Sequence, residues 1–526
     1  MQRASFLASA TQRRLPYDVI VIGGGANGAG IALDCANRGL EVLLLERGAF
    51  GCGTSSRSSK LIHGGIRYLA LAQFGMVREA LHERALLLRN APGLVKPLPF
   101  VIPAATRLEL FKFASGLKLY DWLAGAHGLS GSRVLNTSET RRLVPQMGRA
   151  PLAGSVLFTD AQFDDTRLLF AIVHAAAARG ATLLNHMAVV GFARNRRRHL
   201  RAVTALDAIS GQHHEFEARV VINATGVQGD AVRRLADNTI SAEVLPSQGT
   251  HLVVPRRFYT SDHALVLPRT PDGRVMFVIP WHGQVLLGTT DTALTKIDDP
   301  PLPLQQEIDM ILAVTARYLH RAPGRADVLS SFAGVRPLAA APGSGRSSKV
   351  SREHAITIDD SGLVSVSGGK WTTYRRVAEQ CLEEAMKSVS LRGSSARTEQ
   401  LPLVSQEGQR GGVDALGFPA RGVAQLTAEQ PALAAALHEA LPYSGAHFAW
   451  AARAEMAMTV ADALAYHSRA LFIDARAAAD IAPRVAAIMA AELGHDAQWI
   501  AREIAQAREV AARFTLTPTP VRETRG

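Results

Sequence analysis

A polar stretch from Thr54 to Tyr68 concentrates the side chains that could do chemistry. Lys60, His63, Arg67 and Tyr68 follow one another closely in an otherwise apolar, helix-prone context. The residues just before them offer hydroxyl and backbone N–H donors suited to a phosphate group, and the hydroxyl side chains among them are Thr54, Ser55, Ser56, Ser58 and Ser59. A flexible Gly/Ser linker is the alternative interpretation. Four reactive polar side chains at this spacing favour the wall of a site.

The elements that must position this stretch begin upstream, at Tyr17. Residues 17–22 are apolar and β-branched, which predicts a buried parallel strand. A helix over 26–38, with Asn27 in its first turn, and a second buried strand over 41–45 ending at Glu46 follow. The turn between the first strand and the helix has the spacing G-x-G-x-x-G, formed by Gly23, Gly25 and Gly28. This order predicts a dinucleotide site, in which Glu46 binds a ribose 2′-OH and favours FAD or NAD over NADP.

Two later segments repeat the pattern of a strand that runs into a turn of small residues. The first, over 219–226, ends in Ala224, Thr225 and Gly226, a second close approach of backbone to the dinucleotide. The second, a strand over 363–366, runs into Gly368, Gly369, Lys370 and Thr372 before a helix over 373–386. Trp371 stands where a Walker A loop needs Ser or Thr, so this turn predicts a helix N-terminus directed at the cofactor.

Length and composition bound the class of protein. A chain of 526 residues with 47% hydrophobic and 20% charged residues predicts two or three globular domains. No apolar run approaches the roughly 18 residues needed to span a bilayer. Three scattered cysteines, at 35, 52 and 381, favour a reducing compartment and predict neither a disulfide framework nor a metal site.

The net charge of +12 raises the question of anionic partners. The basic residues are dispersed, and the densest cluster, Arg194 with Arg196–Arg198, lies in a predicted hairpin turn without aromatic neighbours. These features disfavour nucleic acid. They leave contact with an anionic membrane surface as the more plausible interpretation, with general solubility as the simpler one.

The predicted organisation is an α/β FAD- or NAD-binding unit with an antiparallel β domain and an all-α domain at the C-terminus. Residues 1–15 are expected to be a disordered tail, and 388–412 and 517–526 a linker and a second tail. The oxidoreductase unit covers 16–387, with cofactor binding mainly by 16–100, 150–247 and 350–387. The substrate domain is assigned to 101–149, expected to be loop-rich, and 248–349, where short strands alternate with turns. Three amphipathic helices are predicted within 413–516.

Several of these motifs together resemble the FAD-dependent glycerol-3-phosphate dehydrogenases over nearly the whole chain. The long and unusual TSSRSSKLIHGGIRYL stretch is the most specific of them, and the others are IGGGANGAG, INATG, FVIPW with GTTD, GVRPL and SGGKWTTYR. The resemblance implies a glutathione-reductase-like FAD domain, an antiparallel substrate domain and a helical C-terminal domain. It also implies oxidation of sn-glycerol 3-phosphate to dihydroxyacetone phosphate, with hydride transfer to flavin N5 and electrons passed to a quinone.

The resemblance assigns roles to individual residues. Arg67, Tyr68 and Arg336 are expected at the substrate, where arginine forks suit a phosphate dianion. Lys370 is expected near the flavin, with Thr289 or Thr290 as a neutral donor. His63 is the candidate base for the hydroxyl proton, because an imidazole titrates near neutral pH, and Arg336 or Lys370 holding an alkoxide is the fallback. The cofactor contacts are expected from the glycine turns, Glu46 and the hydroxyl-rich stretch with Lys60.

Other interpretations keep the fold and change the chemistry. A glycerol-3-phosphate oxidase, or an amine or amino-acid oxidase of the same superfamily, would pass electrons to O₂ and release hydrogen peroxide. A flavin-binding scaffold or redox sensor would bind FAD that no small alcohol phosphate reduces. By resemblance to the bacterial members, the protein is expected at the cytoplasmic side of the cytoplasmic membrane, as a peripheral protein, or in the cytoplasm. A homodimer is the candidate oligomeric state.

Overall fold

The computed structural model describes residues 1–69, 72–148, 151–270, 273–339, 354–404 and 412–516, except for the side chain of Arg67. Its helices are Arg3–Gln12 (α1), Ala26–Asn37 (α2), Ile66–Leu69 (α3), Phe74–Asn90 (α4), Arg107–Ala124 (α5), Thr137–Leu143 (α6), Asp165–Ala177 (α7), Gly229–Ala236 (α8), Gln305–Tyr318 (α9), Tyr374–Ser388 (α10), Ala420–Glu429 (α11), Gly445–Glu455 (α12), Val460–Asp462 (α13), Ala470–Ile473 (α14), Ala475–Leu493 (α15) and Ala497–Ala512 (α16).

Its strands are Tyr17–Ile22 (β1), Val42–Leu45 (β2), Leu61–Ile62 (β3), Val95–Ala104 (β4), Arg133–Leu135 (β5), Gly154–Phe163 (β6), Thr182–Leu184 (β7), Met187–Arg194 (β8), Leu200–Asp207 (β9), His213–Asn223 (β10), Val244–Pro255 (β11), Ala264–Leu267 (β12), Met276–Trp281 (β13), Gln284–Gly288 (β14), Thr292–Ala293 (β15), Ser330–Ala339 (β16), Ala355–Ile358 (β17), Leu363–Ser367 (β18), Ala436–His438 (β19) and Leu441–Ser444 (β20).

A parallel sheet carries the dinucleotide motif. Its strand order is β18–β10–β1–β2–β7, all parallel, with β17 antiparallel at the β18 edge. The strands are buried because helices α2, α7 and α10 cover one face with apolar side chains. The hairpin β8–β9 continues antiparallel from β10, as the predicted turn at 194–198 required. The carboxyl ends of β1, β10 and β18 therefore meet at one edge.

The second sheet is largely antiparallel and forms the floor of the adjoining cleft. Its order is β15–β11–β14–β13–β12–β4–β6–β3, with β16 beside β11 and β5 beside β6. A hairpin at His282 and Gly283 joins β13 to β14. Helix α9 packs against the outer face of β11. Strands β3, β4 and β6 belong to this sheet although parts of them fall in the ranges predicted for cofactor binding.

Three sequence-based expectations differ from the structure. Residues 1–15 are not a disordered tail, since α1 packs on the parallel sheet and Arg3 forms a buried ion pair with Asp207 at 2.7 Å. Within 101–149, helix α5 and helix α6, which begins with a capping box at Asn136, replace the loops that were expected. The linker at 388–412 is partly packed core, because Leu391, Thr398, Leu401 and Val404 are buried, while 405–411 lie outside the described residues.

The C-terminal helical domain shares its core with the oxidoreductase unit. The ring of Phe472 contacts the ring of Phe332 on β16 with centroids 4.8 Å apart. Arg167 on α7 forms a buried bidentate pair with Glu455, with both N···O distances below 2.9 Å. Burial alone would raise the pKa of Glu455, but Arg167 and two neighbouring histidines hold it well below its usual range. Buried ion pairs of this kind make relative sliding of the two parts costly. None of the described helices is both long enough and apolar enough to span a bilayer.

The contact between His186 and Asp462 makes domain docking pH-dependent. His186 Nε2 lies 2.8 Å from the Asp462 carboxylate, and this carboxylate raises the pKa of His186 against the opposing effect of burial. A raised folded-state pKa stabilises the folded state fully below the unfolded pKa of about 6.5, and the benefit disappears as pH rises through the folded value. We expect His186→Gln to lower Tm at pH 5.5–6 and to have little effect near pH 9, measured by thermal unfolding. A Tm difference that is constant with pH would contradict this.

Candidate active site

Three turns at the carboxyl edge of the parallel sheet form a cradle for a dinucleotide. The turn after β1 lies against Ala224, because a Cβ on Gly23 would come within 2.7 Å of the Ala224 carbonyl oxygen. A Cβ on Gly28 would collide with the Gly23 carbonyl, which explains the third glycine of the motif. Asn27 Nδ2 donates to the Gly368 carbonyl at 3.4 Å and brings in the third turn. Carboxyl ends of adjacent parallel strands are where such folds bind nucleotides.

Glu46 and Ser55 complete the cradle. Glu46 accepts hydrogen bonds from the Gly24 N–H at 2.6 Å and the Gly48 N–H at 2.9 Å, so its carboxylate is fixed at the end of β2. Ser55 Oγ accepts from the Ala26 N–H at 2.9 Å, at the N-terminus of α2. A Cβ on Gly25 would lie 2.9 Å from the same oxygen, which leaves room there only for glycine. Oε1 of Glu46 also accepts from the Cys52 thiol at 3.6 Å, whereas Oε2 keeps a further lone pair for a ribose hydroxyl, so the cradle fits FAD.

The C-terminal end of β3 and the N-terminal end of α10 bring together a first group of predicted site residues. The His63 N–H lies 3.3 Å from Thr372 Oγ1, and Lys370 Nζ lies 3.7 Å from the centre of the Tyr68 ring. His63 Nδ1 accepts from the Gly65 N–H at 3.1 Å, which places the proton of the neutral imidazole on Nε2. This group therefore combines a cation, a phenol and an imidazole beside the Gly368–Gly369 turn.

A second group lies on the inner face of β11. Arg336 Nη2 lies 3.2 Å from Thr289 Oγ1, and Arg336 Nη1 lies 3.4 Å from an Asp291 oxygen. Arg274 and Ser247 contact the same carboxylate. A Cβ on Gly249 would clash with both the Arg336 guanidinium and the Thr289 hydroxyl. Two arginines thus converge on the carboxylate of Asp291, and the planar guanidinium fork is a geometry suited to a phosphate.

The outer face of β11 is structural. Glu307 on α9 accepts from the side chains of Gln248, Thr250, Thr290 and Thr292 at 2.7–2.8 Å. These bonds hold the pKa of Glu307 below its usual value although burial opposes them. Of the two threonines considered for the site, Thr289 therefore faces the cleft and Thr290 anchors α9.

His251 is a site residue that the sequence analysis missed. It lies two residues after Gly249 on the same face of β11, its Nε2 is 2.8 Å from Ser59 Oγ, and its ring stacks on Phe332. Burial, with the cations Lys60 and Arg336 nearby, holds its pKa well below the usual value for histidine, so the ring is neutral. The signal was available: polar residues at 247, 248, 250 and 251 interrupt a strand that is otherwise apolar.

Some side chains of the hydroxyl-rich stretch contact residues of the cleft, and others contact buried groups in the interior. Thr54 Oγ1 donates to the Val335 carbonyl at 2.5 Å, beside Arg336. Ser58 Oγ donates to Asp165 at 2.7 Å, and the fully buried Lys60 pairs with the same carboxylate at 2.6 Å. The predicted cofactor contacts of Ser58 and Lys60 are thus replaced by an internal ion pair, while Ser59 contacts His251. Burial and the nearby Arg469 lower the pKa of Lys60 to about 7 against the effect of Asp165. The side chain of Arg67 lies outside the described residues.

Two family models match the chain. The model for FAD dependent oxidoreductases matches residues 18–375, which include both sheets and all three turns of the cradle. The model for the C-terminal domain of alpha-glycerophosphate oxidase matches residues 367–500. The first match alone covers more than half of the chain.

Known relatives match over nearly the whole length. The chain is 36% identical to the mitochondrial glycerol-3-phosphate dehydrogenase of Homo sapiens, over 92% of this chain and 72% of that protein. It is also 36% identical to the mitochondrial enzyme of Arabidopsis thaliana, over 95% and 86% respectively. The glycerol-3-phosphate dehydrogenase of Bacillus halodurans, solved with FAD, superposes with a TM-score of 0.75 at 25% identity, covering 99% of both chains. The chain therefore belongs to the FAD-dependent glycerol-3-phosphate dehydrogenase family of FAD-dependent oxidoreductases.

Proposed function

We propose that the protein oxidises sn-glycerol 3-phosphate to dihydroxyacetone phosphate. The observation that carries the proposal is the convergence of Arg336, Arg274 and the Thr289 hydroxyl on the sheet face beside the cofactor cradle. Guanidinium forks with a neutral hydroxyl donor suit the phosphate group of a phosphorylated substrate. The relatives named above are glycerol-3-phosphate dehydrogenases, which supports the same substrate. Reduction of the bound flavin by this compound without oxygen tests the proposal.

Different residues of the chain bind the cofactor, bind the substrate and take up the proton. FAD, held by the cradle of glycines, Glu46 and Ser55, supplies the acceptor for the hydride at flavin N5. Arg336, with Arg67 as its predicted partner, binds and orients the phosphate. Tyr68 and Thr289 donate neutral hydrogen bonds to the substrate, and Lys370 stabilises negative charge at the flavin side of the cleft. His63 takes the hydroxyl proton as the carbon loses hydride.

A quinone is the proposed electron acceptor. The family resemblance supports it, and the alternative is O₂, as in an oxidase of the same fold. Reoxidation of substrate-reduced enzyme by a short-chain ubiquinone without oxygen, faster than reoxidation by air, would support the quinone. Stoichiometric release of hydrogen peroxide in air would identify an oxidase and overturn this part of the proposal.

Helix α5 provides a surface suited to a membrane. Leu108, Phe111 and Trp122 fall on one stripe of the helix and are 63%, 69% and 69% exposed. Lys112 and Lys118 flank this stripe, and the guanidinium of Arg78 lies over the Trp122 ring. An apolar stripe bordered by basic residues is the pattern of a helix that lies in the interface of an anionic bilayer. We propose that α5 holds the protein at the cytoplasmic side of the cytoplasmic membrane.

Replacing Phe111 and Trp122 together with serine should weaken vesicle binding at least about tenfold, because each aromatic side chain contributes about 1.5–3 kcal/mol when fully buried. Cosedimentation with phosphatidylglycerol vesicles at low salt measures this. Ile209→Ser, at an exposed apolar residue in the turn between β9 and β10, is the matched control and should bind as the wild type does. Equal binding by all three proteins would remove α5 from the contact.

The oligomeric state is a separate proposal. We propose a homodimer, which analytical ultracentrifugation of the FAD-loaded protein would test directly. A single species at the mass of one 56.3 kDa chain across micromolar concentrations would contradict it.

A further inference from the structure

The C-terminal helical domain places a fully buried arginine beneath the hydroxyl-rich stretch of the active site. Arg469 has no exposed surface, and its Nη2 donates to the Ser56 carbonyl oxygen at 2.8 Å. The same guanidinium lies 3.4 Å from Asp165, and its Nη1 donates to Ala465 within its own domain at 3.2 Å. Its side chain therefore crosses the boundary between the helical domain and the oxidoreductase unit.

The backbone around Arg469 is unusual. Arg469 has φ +70°, in the left-handed region that favours glycine, and it follows a π-helical turn at Ala463–His467. A non-glycine residue keeps such a conformation only where its surroundings determine it, and π-turns are frequent at functional sites. The geometry thus directs this one long side chain out of the helical domain and into the neighbouring unit.

A closed ionic cage holds the segment Ser56–Lys60. The Ser56 carbonyl accepts from Lys60 Nζ at 2.7 Å as well as from Arg469. Asp165, at the N-terminus of α7, accepts from Lys60 and Ser58 on one oxygen and faces Arg469 with the other. Because Lys60, Asp165 and Arg469 are buried, loss of one cation would leave a buried carboxylate and carbonyl incompletely paired.

The caged segment and the two residues before it touch the catalytic cleft. Directly before the segment, Ser55 Oγ accepts from the N-terminus of α2 in the cofactor cradle, and Thr54 donates to Val335 beside Arg336. At its end, Ser59 Oγ bonds His251 Nε2, on the sheet face that carries Gly249 and Arg336. A shift of the segment would therefore move hydrogen-bonding groups on both sides of the cleft.

We propose that Arg469 is a positioning residue of the redox site, which holds the segment Thr54–Lys60 in place and, through Ser59, sets the position of His251. The inference rests on the proposed function for its kinetic consequence. It assigns the helical domain a part in hydride transfer that goes beyond packing. Catalysis is sensitive to such placement, since a misplacement of about 1 Å can cost a hundredfold in rate.

The test uses FAD-loaded enzyme and three variants, Arg469→Met, Arg469→Lys and Ser59→Ala, with Arg476→Met on the exposed face of α15 as control. We expect Arg469→Met to slow anaerobic flavin reduction at saturating substrate at least about tenfold. The Kd for substrate should change less than about threefold, because Arg336 and Arg274 lie outside the caged segment. Arg469→Lys should recover part of the rate, since an ammonium can pair with Asp165 or Ser56 but not span both.

Ser59→Ala breaks only the last link of this chain of contacts. It should slow flavin reduction, and the double variant with Arg469→Lys should be no slower than the slower single variant, because both act through the same contact. Flavin reduction at the wild-type rate in Arg469→Met below its Tm, or effects of Arg469→Lys and Ser59→Ala that multiply independently, would overturn the proposal. If Arg469→Met does not fold, this second comparison decides alone.

A readout without substrate separates this inference from the proposed function. The visible circular dichroism of bound, oxidised flavin reports the protein groups around the ring. It should change in Arg469→Met or Arg469→Lys and in Ser59→Ala but not in Arg476→Met. If glycerol 3-phosphate fails to reduce the wild type while these spectra still change, the substrate assignment falls and the positioning role stands. Unchanged spectra in the Arg469 and Ser59 variants would contradict the positioning role whatever the substrate is.

Discussion

Arg336→Met is expected to raise the KM for sn-glycerol 3-phosphate about a hundredfold, because two charge-assisted hydrogen bonds at about 1.5 kcal/mol each correspond to that factor. Arg336 reaches the cleft from β16 and already lies beside Thr289 and Asp291. Asp291 keeps its contact with Arg274 in the variant, while the carbonyls of Gln248 and Thr290 each lose a donor. FAD should stay bound, since the turns after β1, β10 and β18 form the cradle and Arg336 lies on β16. Steady-state kinetics with a dye acceptor measures the effect.

The conservative variant sharpens this prediction. Arg336→Lys keeps the charge and loses the planar fork, so its KM should lie between those of the wild type and Arg336→Met. Arg325→Met removes an exposed arginine that pairs with Asp309 on α9 and serves as the control. A KM for Arg336→Met within twofold of the wild type would exclude Arg336 from phosphate binding and leave Arg274 and Arg67 as candidates.

His63→Ala is expected to lower kcat about a hundredfold or more, the usual contribution of a general base. To take up the hydroxyl proton of the substrate on Nδ1, the His63 ring must give up the hydrogen bond that Nδ1 accepts from the Gly65 N–H. If His63 is the base, His63→Gln should lose as much as His63→Ala, because an amide can donate a hydrogen bond but cannot take up a proton. The limiting rate of flavin reduction measures both variants.

The outcomes for His63 distinguish two roles. Near-normal reduction in His63→Gln with a slow His63→Ala would show that the imidazole only donates a hydrogen bond to the substrate oxygen. Near-normal rates in both variants would show that His63 is not the base and would leave Lys370, Arg336 and the neutral His251 as the candidates. His199→Ala, in the exposed turn between β8 and β9, controls for the loss of an imidazole and should behave as the wild type does.

The cofactor cradle was predictable because its signal is local. Strand, glycine turn, helix and acid follow one another between Tyr17 and Glu46. A Cβ on each glycine of the motif would come too close to an atom of the same unit or of the neighbouring Ala224 turn. The group around Arg336 depended on the family resemblance, since its members come from β11, β16 and the turns beside other strands. The polar residues at 247–251 marked His251 as unusual, but which side chains its face of β11 meets follows from the register of β11 against β14 and β16.

The region 101–149 and the preceding strand were harder to interpret for a physical reason. Strand β4 contains Pro97, Pro99 and Pro103, residues that normally argue against a strand. All three have odd numbers, so the missing N–H groups fall on the same edge of the strand, and the whole of β4 still pairs in register with β6. In α5 the apolar residues occupy both the buried face and the exposed stripe, which obscures the helical period. The N-terminal helix has little amphipathic pattern, although the Arg3 ion pair and apolar contacts of Phe6, Leu7 and Ala10 fix it to the sheet.

Anaerobic addition of sn-glycerol 3-phosphate to the FAD-loaded protein tests the central claim most directly. We expect rapid bleaching of the visible absorbance band of the oxidised flavin. Bleaching would establish cofactor, substrate and hydride transfer in one observation. Persistence of the band at millimolar substrate, with the same flavin reduced by an amine or amino acid, would contradict the assignment of the substrate.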